Sequence, residues 1–250
     1  MEWWQGYFDS AYLERYMFEP ERTVAEVVML RNLLPDVPAD VLDLACGQGR
    51  HTIALARGGY TMVGLDASEY LLDQARSAAG DEELPLDFVR GDMRAIPYVE
   101  CFDAVINMFT AFGYFRDEAD NQRVLDGAMR ALKPGGRLIM ELAHRDRVVH
   151  GFRETDWYEL DDGTIVWERR FFDPIKGTNT VIDRWRRPDG SEDERHHQIR
   201  IYTATELDTM LRSAGLTPTA WYGNFELHAF TLGSPRMIVV AEKALAGAVN

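Results

Sequence analysis

Three carboxylates, Asp43, Asp66 and Asp92, stand at or near the ends of successive apolar runs of strand length, and the first run leads into the turn Cys46-Gly47-Gln48-Gly49. Carboxylates closing buried strands are costly without partners, so their recurrence points to a ligand. Asp66 follows Gly47 by 19 residues, the step of a βαβ unit that sets an acid on a ribose. A dinucleotide fingerprint would place a third glycine where Thr52 stands, with a pyrophosphate at the helix N-terminus. Asp43 would repel a diphosphate, whereas it would attract a ligand carrying an ammonium and a sulfonium.

S-adenosylmethionine is such a ligand, and its methyl is already activated. Methyl transfer from it is an in-line displacement, in which a protein supplies orientation, desolvation and exclusion of water rather than a catalytic triad. Composition narrows the acceptor. With 27 Lys and Arg against 41 Asp and Glu, the net charge of −14 opposes binding to phosphate backbones, so a small-molecule acceptor is expected and nucleic acid is not. No apolar run reaches the ~18 to 20 residues of a membrane span, and Met1-Glu2-Trp3-Trp4 lacks the regions of a signal peptide. A cytoplasmic location without membrane partners is therefore expected, with a homo-oligomer left open. Cys46 and Cys101, the only two cysteines, show neither a disulfide framework nor metal-ligand spacing, so both read as small packing residues and no metal is expected.

The elements that must position these groups can be read from periodicity. Residues 1–34 read as helical, with Val24, Val27, Val28, Leu30 and Leu34 on the apolar face, and Pro35 and Pro38 break the pattern. Strand and helix then alternate: strands at 41–45, 61–65, 86–89, 102–107 and 137–143, helices at 49–58, 68–79 and 119–132. That alternation predicts a mainly parallel sheet with helices on both faces. From 164 to 202 the period becomes that of hairpins, predicting an inserted three-stranded antiparallel meander with turns at Pro174-Ile175-Lys176-Gly177 and Pro188-Asp189-Gly190. A capped helix from Thr203 to Ala214 and strands near 217–226 and 236–242, the last antiparallel, complete the sheet. The expected organisation is one domain over 1–250: a helical lid (1–34), a cofactor core (40–145), a meander lid toward the acceptor (146–202) and a C-terminal part (203–250).

Taken in order, Val41-Leu-Asp-Leu-Ala-Cys-Gly47-Gln-Gly49, Gly64-Leu-Asp66, Val89-Arg-Gly-Asp92-Met93, Phe102-Asp-Ala-Val-Ile-Asn107 and Leu132-Lys-Pro-Gly-Gly-Arg-Leu138 resemble the class I S-adenosylmethionine-dependent methyltransferases over residues 40–145. The flanks Phe18-Glu-Pro-Glu-Arg-Thr23, Asn107-Met-Phe-Thr-Ala-Phe-Gly-Tyr-Phe115 and Ser234-Pro-Arg236 are similar to a bacterial small-molecule group that includes lincosamide-pathway N-methyltransferases. The resemblance implies a Rossmann-like fold and S-adenosylhomocysteine as product. It implies that backbone at Ala45, Gly47 and Gly49 approaches the methionyl part, and that Asp66, followed by Ala67, accepts from the ribose hydroxyls. Leu71 and Met93 would flank adenine, Gly91 and Asp92 would meet its edge, and Asn107 and Met108 would lie near the sulfonium. Arg22 would reach the methionine carboxylate, a planar group suited to an arginine fork.

For the acceptor, N-methylation of an amine is the main expectation. O- or C-methylation of an aromatic product is the alternative, and a non-catalytic S-adenosylmethionine-binding regulator is a third reading. The aromatic start of the chain would fold over the cofactor, and cation–π attraction nominates Tyr7, Tyr16 and Phe115, with Phe109 and Phe112 after the fourth strand. Trp157, Trp167 and Trp185 in the meander would wall the far side. His144, following the fifth strand, is a candidate base or acceptor anchor, and His228 lies in a connection that would overhang the cleft. His196 and His197, adjacent in a strand, point to opposite faces and read as solvated.

Overall fold

The computed structural model describes residues 3–15 and 20–247. The chain starts with a 3-10 turn at Trp3–Gly6, a short helix α1 (Ser10–Arg15) and a longer helix α2 (Pro20–Leu33), so the continuous helical character expected of residues 1–34 is broken into pieces. The expected apolar face of α2 is also rotated. Val24 and Val28 are 62% and 54% exposed, while Glu26 is fully buried beside Met29 and Leu30. A helix can turn a charge inward only where partners await it, and two residues of the next helix provide them.

The core then alternates: β1 (Asp40–Leu44), α3 (Arg50–Arg57), β2 (Thr61–Asp66), α4 (Glu69–Ala79), β3 (Leu86–Arg90), β4 (Phe102–Asn107), α5 (Glu118–Ala131) and β5 (Leu132–Ala143). Ser68 caps α4 and Asp117 caps α5, each side chain accepting from a backbone N–H of the first turn. After β5 comes a six-residue helix α6 (Arg145–His150), then β6 (Thr155–Glu159), β7 (Ile165–Asp173), β8 (Thr178–Arg186) and β9 (Glu192–Arg200). These four strands form a separate antiparallel sheet in sequence order, one strand more than expected. The sequence of β6, Thr-Asp-Trp-Tyr-Glu, offers little apolar alternation because this edge strand buries none of its residues fully. Helix α7 (Ala204–Ser213) carries the full capping box between Thr203 and Glu206. It is followed by β10 (Leu216–Tyr222) and β11 (Arg236–Lys243).

The main sheet has the order β10-β11-β5-β4-β1-β2-β3. β1 pairs in parallel with both β2 and β4, and β11 runs antiparallel to β5 and β10. Successive strands therefore depart in opposite directions from β1, which makes its carboxyl end the switch point where open α/β sheets hold ligands. Both faces are covered, so the strands read as near-continuous apolar runs. Leu44, Val105 and Leu138 pack toward α5 and α7, and Val41, Ile106 and Ile139 pack toward α2 and α3.

Candidate cofactor cleft at the switch point

The turn after β1 is built from three left-handed residues, Ala45 (φ 61°), Gly47 (φ 57°) and Gly49 (φ 74°). Its shape is fixed by Asp66 on the neighbouring strand. One carboxylate oxygen accepts from Gly47 N at 2.8 Å and the other from Ser68 N at 2.8 Å, so each retains lone-pair capacity. Burial pushes the Asp66 carboxyl up, and the hydrogen bonds from Ser68 and Gly47 offset only part of that. The two glycines differ in purpose. Only Leu71 Cδ1, at 3.9 Å, lies near a Cβ placed on Gly47, whereas a Cβ on Gly49 would come within 2.8 Å of Phe88 and 2.9 Å of Ala75. Gly47 leaves space beside the cleft; Gly49 lets α3 pack closely on α4 and β3, correcting its expected role at the ligand.

Asp43 likewise departs from expectation. It is 1% exposed and accepts from the Thr52 hydroxyl at 2.7 Å, so it lies behind the turn rather than in the cleft. Burial pushes its carboxyl up, against the opposing pull of His51, Thr52 and Arg50. Thr52, standing where a third glycine would be, is its hydrogen-bond partner.

One cleft lies over the switch point. Ala45, Gly47, Asp66, Ala67, Leu71, Gly91, Asp92, Met93, Met108, Phe109 and Phe115 all line it, as their positions in the sequence lead one to expect. Asp92 also caps the 3-10 turn at Met93–Ala95 and receives Arg94 at 2.7 Å. Burial would raise its carboxyl, but the hydrogen bonds and charge of Arg94 outweigh that and hold it below the usual range. Arg50 and His51, which the sequence had not singled out, line it too. Both reach Glu26 of α2, Arg50 in a short ion pair and His51 Nε2 at 2.9 Å, while Arg22 joins from one turn away at 3.0 Å. Burial opposes the charge on Glu26, yet His51 and Arg50 overcome it and hold the carboxyl far below the ordinary glutamate range.

The loop after β4 forms the wall beside these arginines. Phe109 and Thr110 both adopt positive φ, 58° and 56°. Fully buried Glu141 of β5 holds them, its carboxylate accepting from Phe109 N at 2.8 Å and its carbonyl from Thr110 N at 2.9 Å. Arg236 closes the buckle, paired with Glu141 and donating to Thr110 Oγ1 at 3.0 Å. The Phe109 ring lies beneath two guanidiniums, 4.8 Å from Arg22 and 5.9 Å from Arg50.

The N-terminal segment covers the cleft, with Trp4, Phe8, Tyr12 and Leu13 in its lining beside Tyr114. It is tied to the second sheet on its other side. Arg195 grips Asp9 at 2.5 and 2.8 Å, Arg15 pairs with Asp183 and Glu168, and Tyr7 Oη lies 3.0 Å from His197 Nδ1. His197 is thus part of this joint rather than solvated, whereas His196 is exposed and bonds Glu194.

Several expected site residues fall elsewhere. Tyr7 faces His197 while Phe8 and Tyr12 line the cleft instead, and Tyr16 lies outside the described residues. Phe112 is fully buried in the core against Tyr202, 5.2 Å between ring centroids. Asn107 bonds the Leu44 carbonyl at 2.9 Å, tying β4 to β1. Arg22 serves Glu26 and Phe109 without lining the cleft, whereas Arg50 does line it. Trp157 is 65% exposed on edge strand β6, and Trp185 is buried against Ala11 and Val166. His228 bonds Asn224 at the surface. His144 is buried with Nδ1 2.8 Å from the Ser234 carbonyl and borders a neighbouring cavity, not the cleft. Cys46 packs as expected, but Cys101 is exposed. No group of His, Cys, Asp and Glu able to hold a metal ion, and no helix long and apolar enough to cross a membrane, occurs among the described residues.

The architecture and the chain have known counterparts. A family model described as "Methyltransferase domain" matches residues 41–136. The dTDP-3-amino-3,4,6-trideoxy-alpha-D-glucopyranose N,N-dimethyltransferase of Streptomyces venezuelae is 30% identical over 209 residues, 75% of this chain and 79% of that protein. The CcbJ methyltransferase from Streptomyces caelestis has the same fold, with a TM-score of 0.83 at 20% identity over 96% of this chain and 97% of that one. So does CalS10, an amino pentose methyltransferase from Micromonospora echinaspora solved with S-adenosylmethionine bound, with a TM-score of 0.72 at 23% identity over 94% and 95%. The cleft at the switch point, closed by Asp66 and walled by the turn after β1, is the feature such a cofactor requires, and the chain belongs to the class I S-adenosylmethionine-dependent methyltransferases.

Proposed function

We propose that this enzyme N-methylates a small amine-bearing metabolite. The observation that carries the cofactor's orientation is the mixed charge of the cleft lining, in which the carboxylates of Asp66 and Asp92 stand with the guanidinium of Arg50. Asp66 has lone-pair capacity left for ribose hydroxyls, Leu71 and Met93 flank the adenine, and Asp92 accepts from its exocyclic amine. Backbone at Ala45 and Gly47 approaches the methionyl part, and Arg50 meets its carboxylate. The bound cofactor supplies an activated methyl, so the chain's own task is to orient the acceptor and keep water out. Trp4, Phe8, Tyr12, Phe109 and Tyr114 offer faces to a cationic centre. The N-terminal segment and the second sheet, joined through Asp9, Arg15 and Tyr7, act together as the lid.

Nitrogen as the methylated atom draws on the amino-sugar relatives named above. The test is incubation with S-adenosylmethionine bearing an isotopic methyl and a panel of amino sugars, other primary and secondary amines, and phenols, read by mass spectrometry. Label on an amine nitrogen is expected. Label confined to phenolic oxygen or ring carbon would replace this reading with that of an aromatic methyltransferase, and tight S-adenosylhomocysteine binding with no transfer to any member would favour a regulator.

A further inference from the structure

Across the Phe109–Thr110 loop from the cleft lies a second cavity whose wall is unlike the rest of this acidic chain. It opens between the ends of β5 and β11, helix α6 and the second sheet, and Arg147, His150, Arg153, Arg170, Arg236 and Asn179 line it beside His144. No carboxylate lines it, although acids outnumber bases 41 to 27 in the chain. Arg170 is neutralised by Glu168 and Asp156, and Arg236 by Glu141. Arg147, His150 and Arg153 have no ion pair among the described residues. Arg147 and His150 stand three residues apart on α6, hence on one helix face, and Arg153 follows in the connection to β6. Like charges gathered without counter-ions repel one another, and an oxyanion among them removes that cost. Facing them from β8, the Asn179 amide oxygen is buried with no hydrogen-bond partner, an acceptor suited to a ligand hydroxyl. Arg236 connects this cavity to the cleft, since it also donates to Thr110 in the loop whose Phe109 and Ala111 line the cleft.

We propose that this cavity receives a phosphate or diphosphate group of a hydroxyl-bearing acceptor, anchoring one end of the molecule while its amine reaches the cleft. The proposal rests on the small-molecule reading above. Phosphate is favoured over carboxylate because the two unpaired guanidiniums of Arg147 and Arg153 exceed what a single carboxylate neutralises, whereas a phosphate offers more charge and more acceptor oxygens.

The test is calorimetric titration of inorganic pyrophosphate, inorganic phosphate and acetate into the full chain saturated with S-adenosylhomocysteine, at one low ionic strength. The variant R147A/R153A removes two exposed cations of the wall. R57A/R212A removes two exposed arginines paired elsewhere, with Glu82 and Asp208. Pyrophosphate or phosphate binding to the parent protein should weaken about tenfold or more in R147A/R153A and stay within about twofold in R57A/R212A, the loss of one or two charge-assisted hydrogen bonds. Tighter pyrophosphate than phosphate identifies a diphosphate acceptor, and equal affinity a monoester. No binding to the parent, equal losses in both double variants, or acetate binding as tightly as phosphate overturns the proposal. S-adenosylhomocysteine affinity is measured alongside. Its absence in the parent would overturn the cleft assignment, while anion binding in S-adenosylhomocysteine-free protein would still judge the cavity.

Discussion

Replacing Glu141 with Ala should damage the cleft without Glu141 touching it. Its carboxylate accepts from Phe109 N at 2.8 Å and pairs with Arg236. Deleting it leaves a covered N–H unsatisfied, costing about 1 to 3 kcal/mol. A broken buried ion pair costs roughly 3 to 5 kcal/mol, but Arg236 is 24% exposed and can turn to water, so about 1 to 2 kcal/mol is the appropriate share. Against this, Phe109 and Thr110 hold positive φ angles of 58° and 56°, each strained by about 1 kcal/mol or more, and a released loop recovers part of that. The net loss in unfolding free energy should be about 1 to 3 kcal/mol by urea denaturation. Binding in the cleft would then have to re-form the strained loop, so S-adenosylhomocysteine affinity should fall by roughly 5- to 100-fold in calorimetry. Glu141→Gln, which keeps an acceptor for Phe109 N but no charge for Arg236, should fall between. A destabilised Glu141→Ala protein that binds S-adenosylhomocysteine within about twofold of the parent would refute the reasoning, because the carboxylate would then be holding the sheet and not the loop.

Asp66→Asn should weaken S-adenosylhomocysteine about 100-fold, the loss of two charge-assisted hydrogen bonds. Because burial raises the folded-state pKa of Asp66, its favourable contribution to stability is fully present only below the unfolded value and is lost as pH rises through the folded one, a fall that the variant should lack when melting temperature is followed against pH; an equal fall in the variant would contradict the raised pKa. Gly49→Ala, forced to φ 74° with its Cβ 2.8 Å from Phe88, should lose about 2 to 4 kcal/mol in urea, and a loss below about 1 kcal/mol would mean that α3 shifts freely. Burial, then the charges of Arg15 and Arg170, push His197 down to about 3 from 6.5, even with Asp183 3.5 Å away. The unfolded chain takes up that proton first, so stability present above pH 6.5 is lost as pH falls toward 3, and His197→Gln should flatten part of the fall between about pH 7 and pH 4.5; an equally steep fall in the variant would remove His197 from the joint.

How far the sequence could be read depended on whether partners were near in the chain. β1, the Gly47 turn and Asp66 were legible because one βαβ unit fixes their spacing, and Asp92 because it closes the next strand. The helix α7 was legible from its capping box alone. Direction within irregular segments was not. Tyr7 and Phe8 sit in the connection between a four-residue 3-10 turn and a six-residue helix that carries Tyr12, pieces too short for a period to show which ring faces the cleft. In the loop after β4, positive φ at two consecutive residues sends Phe109 to the cleft and leaves Phe112 in the core, a reversal that apolar pattern does not encode.

The two buried glutamates show why the rest was hidden. Glu26 looks like an ordinary polar position on an amphipathic helix, and Glu141 like an interruption in an apolar strand. Their partners lie far along the chain: Arg50 and His51 are 24 and 25 residues from Glu26, and Arg236 is 95 from Glu141. Each acid pays for its burial only through those partners. Both converge on Phe109 from different sides, since Glu141 fixes its backbone while Glu26 orients the Arg22 and Arg50 guanidiniums over its ring. The depressed pKa of Glu26 keeps that arrangement ionised through and below the ordinary glutamate range and gives it up only as pH falls through the low folded-state value. The wall between the cleft and the basic cavity is therefore held by charge at both ends, which lets one aromatic residue keep a strained conformation beside the cleft.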